Sequence, residues 1–292
     1  MATSNPSTQT RIAFLGLGAM GSRMVARLAA TEGFHVTVWN RSPQAALALS
    51  GVTVAQSARA AAEGADFVFS MVTDDNAAKA VWLGAEGALA GMKAGATAIE
   101  VSTVSLDWIG ALAAQAAQRG IYFVDAPVAG SRPQADAGQL IFMVGGDTAV
   151  LDAVRPVLAP MAAKVLHTGP VGTGAMLKLA VNGLFAVQLA TVAELLGILS
   201  KGGIAATDAA TMLGEFPIVA APIAGSAKMM AAGNTTPMFT IDLIAKDLGY
   251  AQAAAASASA RLPMINAAAT VAQNAIAAGL GGANVSGFAK LY

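Results

Sequence analysis

Arg11-Ile12-Ala13-Phe14-Leu15-Gly16-Leu17-Gly18-Ala19-Met20-Gly21-Ser22-Arg23-Met24 is the stretch that decides the fold. Arg11 to Leu15 reads as a short apolar strand. Gly16 to Gly21 matches G-x-G-x-x-G. From Ser22 to Thr31 the spacing is helical, with Met24, Val25, Leu28 and Ala29 on one face. A strand, a glycine turn and a helix in that order form a dinucleotide-binding unit. Gly16 permits the tight turn, Gly18 lets the backbone approach a pyrophosphate, and Gly21 allows close helix-sheet packing. The helix N-terminus attracts the anionic group. The structural alternative is a tight turn and nothing more. The cofactor candidates here are Gly16, Leu17, Gly18, Ala19, Met20 and Gly21.

A second β-branched strand, His35 to Trp39, leads into Asn40-Arg41-Ser42-Pro43. An NAD-selective site usually places a carboxylate there for the ribose 2′-hydroxyl. This chain offers Asn40, Arg41 and Ser42 instead. Guanidinium matches phosphate oxygens in a bidentate way, so a preference for NADP(H) is predicted. The alternative is a solvated arginine in a turn.

Further short strands are predicted at Asp66 to Met71, Thr97 to Val101, Tyr122 to Asp125, Ile141 to Val144 and Val165 to His167. Helical segments separate most of them. This alternation predicts an α/β, doubly wound parallel sheet of Rossmann type. The character changes after Gly169. A long apolar helix is predicted from Gly172 to Leu199, then helices at Thr207 to Leu213, Pro222 to Ala231, Ile241 to Ala260 and Pro263 to Ala278. The expected organisation is a disordered tail over residues 1–10, a Rossmann domain over 11–170 and an all-α domain over 171–292.

Composition narrows the function. The 292 residues carry 17 basic and 17 acidic side chains, so neither a nucleic-acid footprint nor a polybasic membrane patch is expected. There is no cysteine and there are two histidines, His35 and His167. That excludes thiolate chemistry and disulfides, and no metal site is expected. The longest uncharged run, Leu262 to Ala289, is too polar and too broken for a span of about 20 apolar residues. No membrane association is expected, and the predicted location is the cytoplasm. High hydropathy suggests apolar surface covered in a homo-oligomer.

Several polar residues sit in apolar surroundings. Lys178 lies in a helix apolar nearly all round, with Asn182 four residues on along the same face. A buried ammonium is costly unless compensated, so the pair is a candidate to meet a substrate carbonyl. The alternative is a lysine that snorkels to the surface. Lys246-Asp247 lies on another helix, where adjacent residues need not pair and a solvated face is as good a reading as a site. Ser102 and Thr103 follow a strand, where ligands gather in open parallel sheets; either one serves equally well as a helix N-cap. Asp125-Ala126-Pro127-Val128-Ala129-Gly130-Ser131 also follows a strand, and Gly130 and Ser131 offer amides and a hydroxyl to a carboxylate or form a structural turn.

Taken together, the chain resembles the β-hydroxyacid dehydrogenase family, which includes 3-hydroxyisobutyrate dehydrogenases and glyoxylate/succinic semialdehyde reductases. The resemblance runs from Ile12 to about Ala289 and rests on segments in the family's order. They are the glycine turn, Val101-Ser102-Thr103, Asp125-Ala126-Pro127-Val128, Gly138-Gln139-Leu140 before Met143-Val144-Gly145-Gly146, Gly172-Thr173-Gly174 with Lys178 and Asn182, and Lys246-Asp247-Leu248. It implies a Rossmann domain joined by a long helix to a helical domain, with homodimers or homotetramers formed through the latter. It implies that Lys178 is the catalytic lysine and Asn182 the substrate-orienting asparagine. Thr103 and Lys246 would contact the cofactor, Met71, Val72 and Thr73 would line it, and Ser102, Gly130 and Ser131 would bind substrate.

The implied activity is NADPH-dependent reduction of a small aldehyde or semialdehyde, or oxidation of the corresponding β-hydroxyacid. Hydride passes from nicotinamide to the carbonyl carbon, and Lys178 protonates the developing alkoxide. Imine reduction on the same fold is one alternative, although dedicated imine reductases commonly replace the lysine. A non-catalytic NADPH-binding protein is another. The chain also departs from the family pattern. Ala129 replaces the first serine after Asp-Ala-Pro-Val, with Ser131 as a candidate to compensate, and Arg132 after it reads either as a substitute anion contact or as merely exposed. Leu106 replaces a proline and Asn284 an aspartate. These departures raise the expectation of a drifted substrate scope.

Overall fold

A computed structural model describes residues 9–292. They fall into two compact units that divide at Lys178/Leu179. Residues 1–8 of the expected tail lie outside the described residues. Thr10 opens the first strand, its amide donating to the Gly33 carbonyl at 2.9 Å.

The first unit runs β1 (Thr10–Leu15), α1 (Gly21–Ala29), β2 (Phe34–Trp39), β3 (Val52–Val54), α2 (Ala58–Ala62), β4 (Phe67–Ser70), α3 (Asp75–Trp82) and α4 (Ala88–Gly91). It continues with β5 (Thr97–Glu100), α5 (Leu106–Ala117), β6 (Tyr122–Asp125), β7 (Val128–Ala129), α6 (Arg132–Ala137), β8 (Leu140–Gly145), α7 (Thr148–Leu158) and β9 (Ala162–Gly169). The sheet order is β3-β2-β1-β4-β5-β6-β8-β7, with β9 on β8. β1 to β6 are mutually parallel, and the order reverses at β1, which lies between β2 and β4. The glycine turn therefore leaves the sheet at its topological switch point, where such folds bind ligands.

Alternation along the strands fills both faces. Ile12 and Phe14 join one core with Met24, Val25 and Leu28 of α1 and with Leu151 and Val154 of α7. Ala13 and Leu15 join the other with Trp82, Trp108, Ile109 and Leu112. A strand buried on both sides needs its apolar run unbroken, as β1 has.

The sheet is mixed rather than wholly parallel. β8 runs antiparallel to β6 and β7 and parallel to β9. The cause is the short connection. A six-residue helix such as α6 rises only about 9 Å, too little to carry the chain back to the start of β6. β8 therefore enters from the end where β6 stops.

The second unit is helical. α8 (Thr173–Lys201) starts in the first unit and continues into it, followed by α9 (Ala206–Gly214), α10 (Ala221–Ala231), α11 (Ile241–Ser257) and α12 (Pro263–Ala277), then a 3-10 turn over Val285–Leu291. Ala186, Leu189, Ala193 and Leu196, spaced three and four apart, turn one face of α8 to a core shared with Ile223, Ile244, Leu248, Ala272 and Phe288. By length and composition α8 also passes as a membrane span, a test that core helices of globular proteins pass too.

At the end of β5, Glu100 has no accessible surface. Its Oε2 accepts from Trp82 Nε1 at 2.8 Å, and its Oε1 from the Ser102 amide at 3.0 Å. Burial pushes its carboxyl above the usual range, against the pull of those bonds. The native state therefore keeps a proton that the unfolded chain releases near 4.5. That contribution to stability is present at low pH and is lost as pH rises through the native value. Urea unfolding across the acid range will show the stability advantage of wild type over Glu100→Gln shrinking as pH rises. An advantage that grows with pH would contradict the assignment.

Candidate active site

The glycine turn is shaped by what a side chain would strike. Gly16 has φ +98°, and a Cβ on it would collide with the Met71 carbonyl. A Cβ on Gly21 would collide with the Gly16 carbonyl, whereas at Gly18 it would meet nothing within 4 Å. Two glycines thus compact the turn and the third leaves open space against the backbone. No side chain caps α1, and no acidic residue stands in its first turn. A pyrophosphate fits this arrangement: its charge meets the helix N-terminus, and its bulk meets the gap at Gly18.

Asn40 locks the turn to the end of β2. Its Oδ1 accepts from the Leu17 amide at 2.9 Å, and its Nδ2 donates to the Ser42 carbonyl at 2.9 Å. The carboxamide is committed at both ends. Arg41 and Ser42 are exposed beside it, and neither side chain makes a hydrogen bond or ion pair among the described residues.

The loop after β4 is fixed from β5. The Val72 amide donates to Ser102 Oγ at 2.8 Å, and that hydroxyl lies 3.3 Å from the Ser70 carbonyl. Ser102 is 1% exposed, so its hydroxyl serves the loop Met71-Val72-Thr73. Thr103 is partly buried. The N-cap of α5 is neither of these but Ser105, whose hydroxyl accepts from the Trp108 amide at 3.1 Å. Asp75 holds Ser105 in turn, through its amide at 2.9 Å and its hydroxyl at 2.6 Å.

After β7, Gly130 has φ +121°, and a Cβ there would meet Leu140 at 2.9 Å and Gln134 at 3.1 Å. Ser131 forms a capping box with Gln134, whose Oε1 accepts the Ser131 amide at 2.9 Å. The polar groups of Ser131 are thus engaged in starting α6, and Gly130 is the exposed position of the pair.

Asp125 ends β6 with no accessible surface. Its Oδ1 accepts from the Gly172 amide and its Oδ2 from the Ala175 amide, both at 2.7 Å. The carboxylate caps α8, one turn before Lys178. Lys178 itself is partly buried.

In the second unit, Asn182 Nδ2 donates to Asp247 Oδ2 at 2.6 Å. Both residues are buried. The Lys246 ammonium lies 3.1 Å from Asp247 Oδ1 and 5.1 Å from the Tyr250 ring centroid. Adjacent helical residues need not pair, but here the flexible lysine stem folds back onto its neighbour's carboxylate. The glycine turn, Asn40, Ser102, Thr103, Gly130, Ser131 and Lys178 belong to the first unit. Asn182 and Lys246 belong to the second, joined through Asp247. Glu100 is a polar residue that local reading passes over, and for Asp125 and Asp247 it is the structural role that local reading does not reach. Their signal is an acid at the end of an apolar strand or on an apolar helix.

Asn284 replaces the family's aspartate, with a structural role. Its Oδ1 accepts from the Phe239 amide at 3.0 Å, and its Nδ2 donates to Ser286 Oγ at 2.9 Å. It pins the segment before α11.

Comparison with known proteins bears on this arrangement. Residues 11–169 match the family model of the NAD-binding domain of 6-phosphogluconate dehydrogenase. Residues 172–292 match that of the NAD-binding domain of NADP-dependent 3-hydroxyisobutyrate dehydrogenase. A NAD-dependent L-serine dehydrogenase of Pseudomonas aeruginosa is 34% identical, over 87% of this chain and 88% of the relative. A 2-(hydroxymethyl)glutarate dehydrogenase of Eubacterium barkeri is 31% identical, over 97% and 94%. The solved 3-hydroxyisobutyrate dehydrogenase of Mycobacterium tuberculosis with L-serine superposes with a TM-score of 0.86 at 32% identity, over 97% of this chain and 99% of that one. An imine reductase from a Pseudomonas species, 22% identical, shares the fold. The chain is an NAD(P)-dependent oxidoreductase of the β-hydroxyacid dehydrogenase family.

Proposed function

We propose that the protein reduces a small aldehyde or semialdehyde with NADPH, or oxidises the corresponding β-hydroxyacid, with Lys178 as general acid and base. The observation that carries this reading is the 2.6 Å bond from Asn182 to buried Asp247. It fixes the Asn182 carboxamide one helical turn from Lys178, on the same face of α8. An asparagine anchored in this way has a defined orientation toward a small ligand, which a packing residue does not need.

When bound, the reduced nicotinamide supplies the hydride. The chain's own residues do the rest. The backbone of Gly16 to Gly21 and the N-terminus of α1 hold the diphosphate. Met71, Val72 and Thr73, kept in place by Ser102, line the cofactor with Thr103 and Lys246. Lys178 donates a proton to the carbonyl oxygen as negative charge develops there. Asn182 orients the lysine or that oxygen. Gly130 offers its backbone to the far end of the substrate.

Support for NADP(H) comes from the end of β2. Asn40 is committed to the turn, so Arg41 and Ser42 are the groups left for a 2′-phosphate. The exposed Leu184, Leu195 and Ile198 of α8 favour a homodimer or homotetramer, which light scattering of the purified chain will count. The cytoplasm is the compartment this reading implies.

Three outcomes test the proposal. Lys178→Ala lowers turnover about a hundredfold to ten-thousandfold while NADPH binding persists; substantial turnover in that variant removes Lys178 from the mechanism. Arg41→Ala weakens NADPH far more than NADH in fluorescence titration, and equal losses would sink the 2′-phosphate role. Nicotinamide oxidation is then followed with succinic semialdehyde, glyoxylate, tartronate semialdehyde, methylmalonate semialdehyde, an aldehyde without a carboxylate, and a cyclic imine. One carboxylated aldehyde should dominate. Activity confined to uncharged carbonyls or imines would overturn the substrate class, and NADPH binding without turnover would favour a non-catalytic role.

A further inference from the structure

We propose that Asp125 is a positioning residue for Lys178, setting the lysine's place by clamping the first turn of α8 to the end of β6. This inference rests on the role given to Lys178 above.

The geometry is that of a built clamp. Asp125 has no accessible surface, and each oxygen takes one amide of the α8 start, Gly172 and Ala175, at 2.7 Å. Two bonds to two different amides fix the helix end in rotation as well as in distance; a single cap bond would leave it free to pivot. The surroundings leave no slack. A Cβ on Gly145 would meet Asp125 Oδ1 at 2.6 Å and the Gly174 amide nitrogen at 2.9 Å. A Cβ on Gly174 would meet Asp125 Oδ2 at 2.9 Å and collide with the Met143 carbonyl. Glycine at both positions brings β8, the carboxylate and α8 to backbone contact. Thr173 adds a further tie, its Oγ1 donating to the Pro170 carbonyl at 2.7 Å and lying 2.8 Å from Thr168 Oγ1.

Lys178 lies three residues beyond Ala175. Three residues advance a helix by about 4.5 Å and turn it by about 300°. Any rotation of the clamped turn is passed directly to the lysine stem. The carboxylate is enclosed from solvent and its hydrogen-bond partners are backbone amides, so the helix N-terminus is what stabilises it. A cap needed only for stability requires one oxygen and tolerates exposure. Asp125 uses both oxygens and is fully enclosed. A displacement of about 1 Å in a catalytic group costs on the order of a hundredfold in rate, which gives such a clamp its value.

The test uses the full chain with NADPH bound. Wild type, Asp125→Asn and Asp125→Ser are reductively methylated with 13C-formaldehyde, and the Lys178 dimethylamino resonance is assigned by its loss in Lys178→Arg. Asparagine keeps the shape and one acceptor. Serine keeps a single cap bond and serves if the asparagine variant fails to fold. The expected result is a shifted or broadened Lys178 resonance, an unmoved Lys201 resonance at the far end of the same helix, and unchanged NADPH affinity. With the carbonyl that wild type turns over, kcat falls about tenfold to a hundredfold, and in the Lys178→Ala background the Asp125 substitution adds no further loss. A Lys178 resonance that stays put, while first-turn amides of α8 exchange faster, would show that Asp125 is a stability cap alone and overturn the inference. Failure of the functional reading is a separate result, seen as turnover that survives Lys178→Ala.

Discussion

A carboxylate without accessible surface, Asp125, joins the sheet to the helix that carries Lys178. Burying an isolated carboxylate costs several kcal/mol. Asp125 offsets that with two short charge-assisted bonds to the amides of Gly172 and Ala175, made at the positive end of a 29-residue helix. Burial still pushes its carboxyl upward, with the amides pulling the other way. The arrangement constrains the sequence on both sides. Gly145 and Gly174 cannot gain a Cβ without striking the carboxylate, and β6 must stop where α8 begins. The antiparallel entry of β8 follows the same demand, since it brings Gly145 beside Asp125 in the sheet.

The site divides its polar groups into committed and open ones, and the division carries functional meaning. Asn40 serves the glycine turn at both ends. Ser102 serves the loop after β4. Ser131 and Gln134 serve α6. Asp247 holds Asn182 and Lys246. Groups used in this way act on a ligand through the shape they impose. By contrast, the start of α1 has no side-chain cap, Gly18 leaves open space, and Arg41 is exposed.

How much of this was legible in the sequence follows from the range of each interaction. The glycine turn is legible because strand, turn and helix lie within about twenty residues and each constrains the next. The helices of the second unit are legible from their spacing. β3 and β7, of three and two residues, exist through pairing with β2 and β8, and nothing local announces them. β9 runs from Ala162 to Gly169, beyond the apolar Val165 to His167, because β8 supplies a partner along its length. The parallel sheet was anticipated, while the reversal at β8 depends on how far six helical residues reach. The motifs that hold Asp125 and Asp247 stand out locally, but their roles do not: the partners at Gly172, Ala175 and Asn182 stand 47, 50 and 65 residues away.

The departures from the family pattern separate in the same physical terms. Leu106 stands at the first position of α5, where proline's missing amide hydrogen is of no consequence; Ser105 caps that helix and Asp75 braces the cap. Asn284 keeps the acceptor that the Phe239 amide requires, and its extra donor finds Ser286, whose hydroxyl passes on to the Asn234 carbonyl at 2.6 Å. Asn284 is absorbed by hydrogen bonds within the fold, and Leu106 by the helix start it occupies. Ala129 differs. It keeps its place opposite Ile141 in the β7–β8 pair but presents a methyl group where a hydroxyl would stand. Ser131 gives its amide and one lone pair of its hydroxyl to the start of α6, and the hydroxyl keeps its own hydrogen to donate. Beside it, the backbone at Gly130 is exposed. Of these departures, Ala129 is the one that removes a hydrogen-bonding side chain outright.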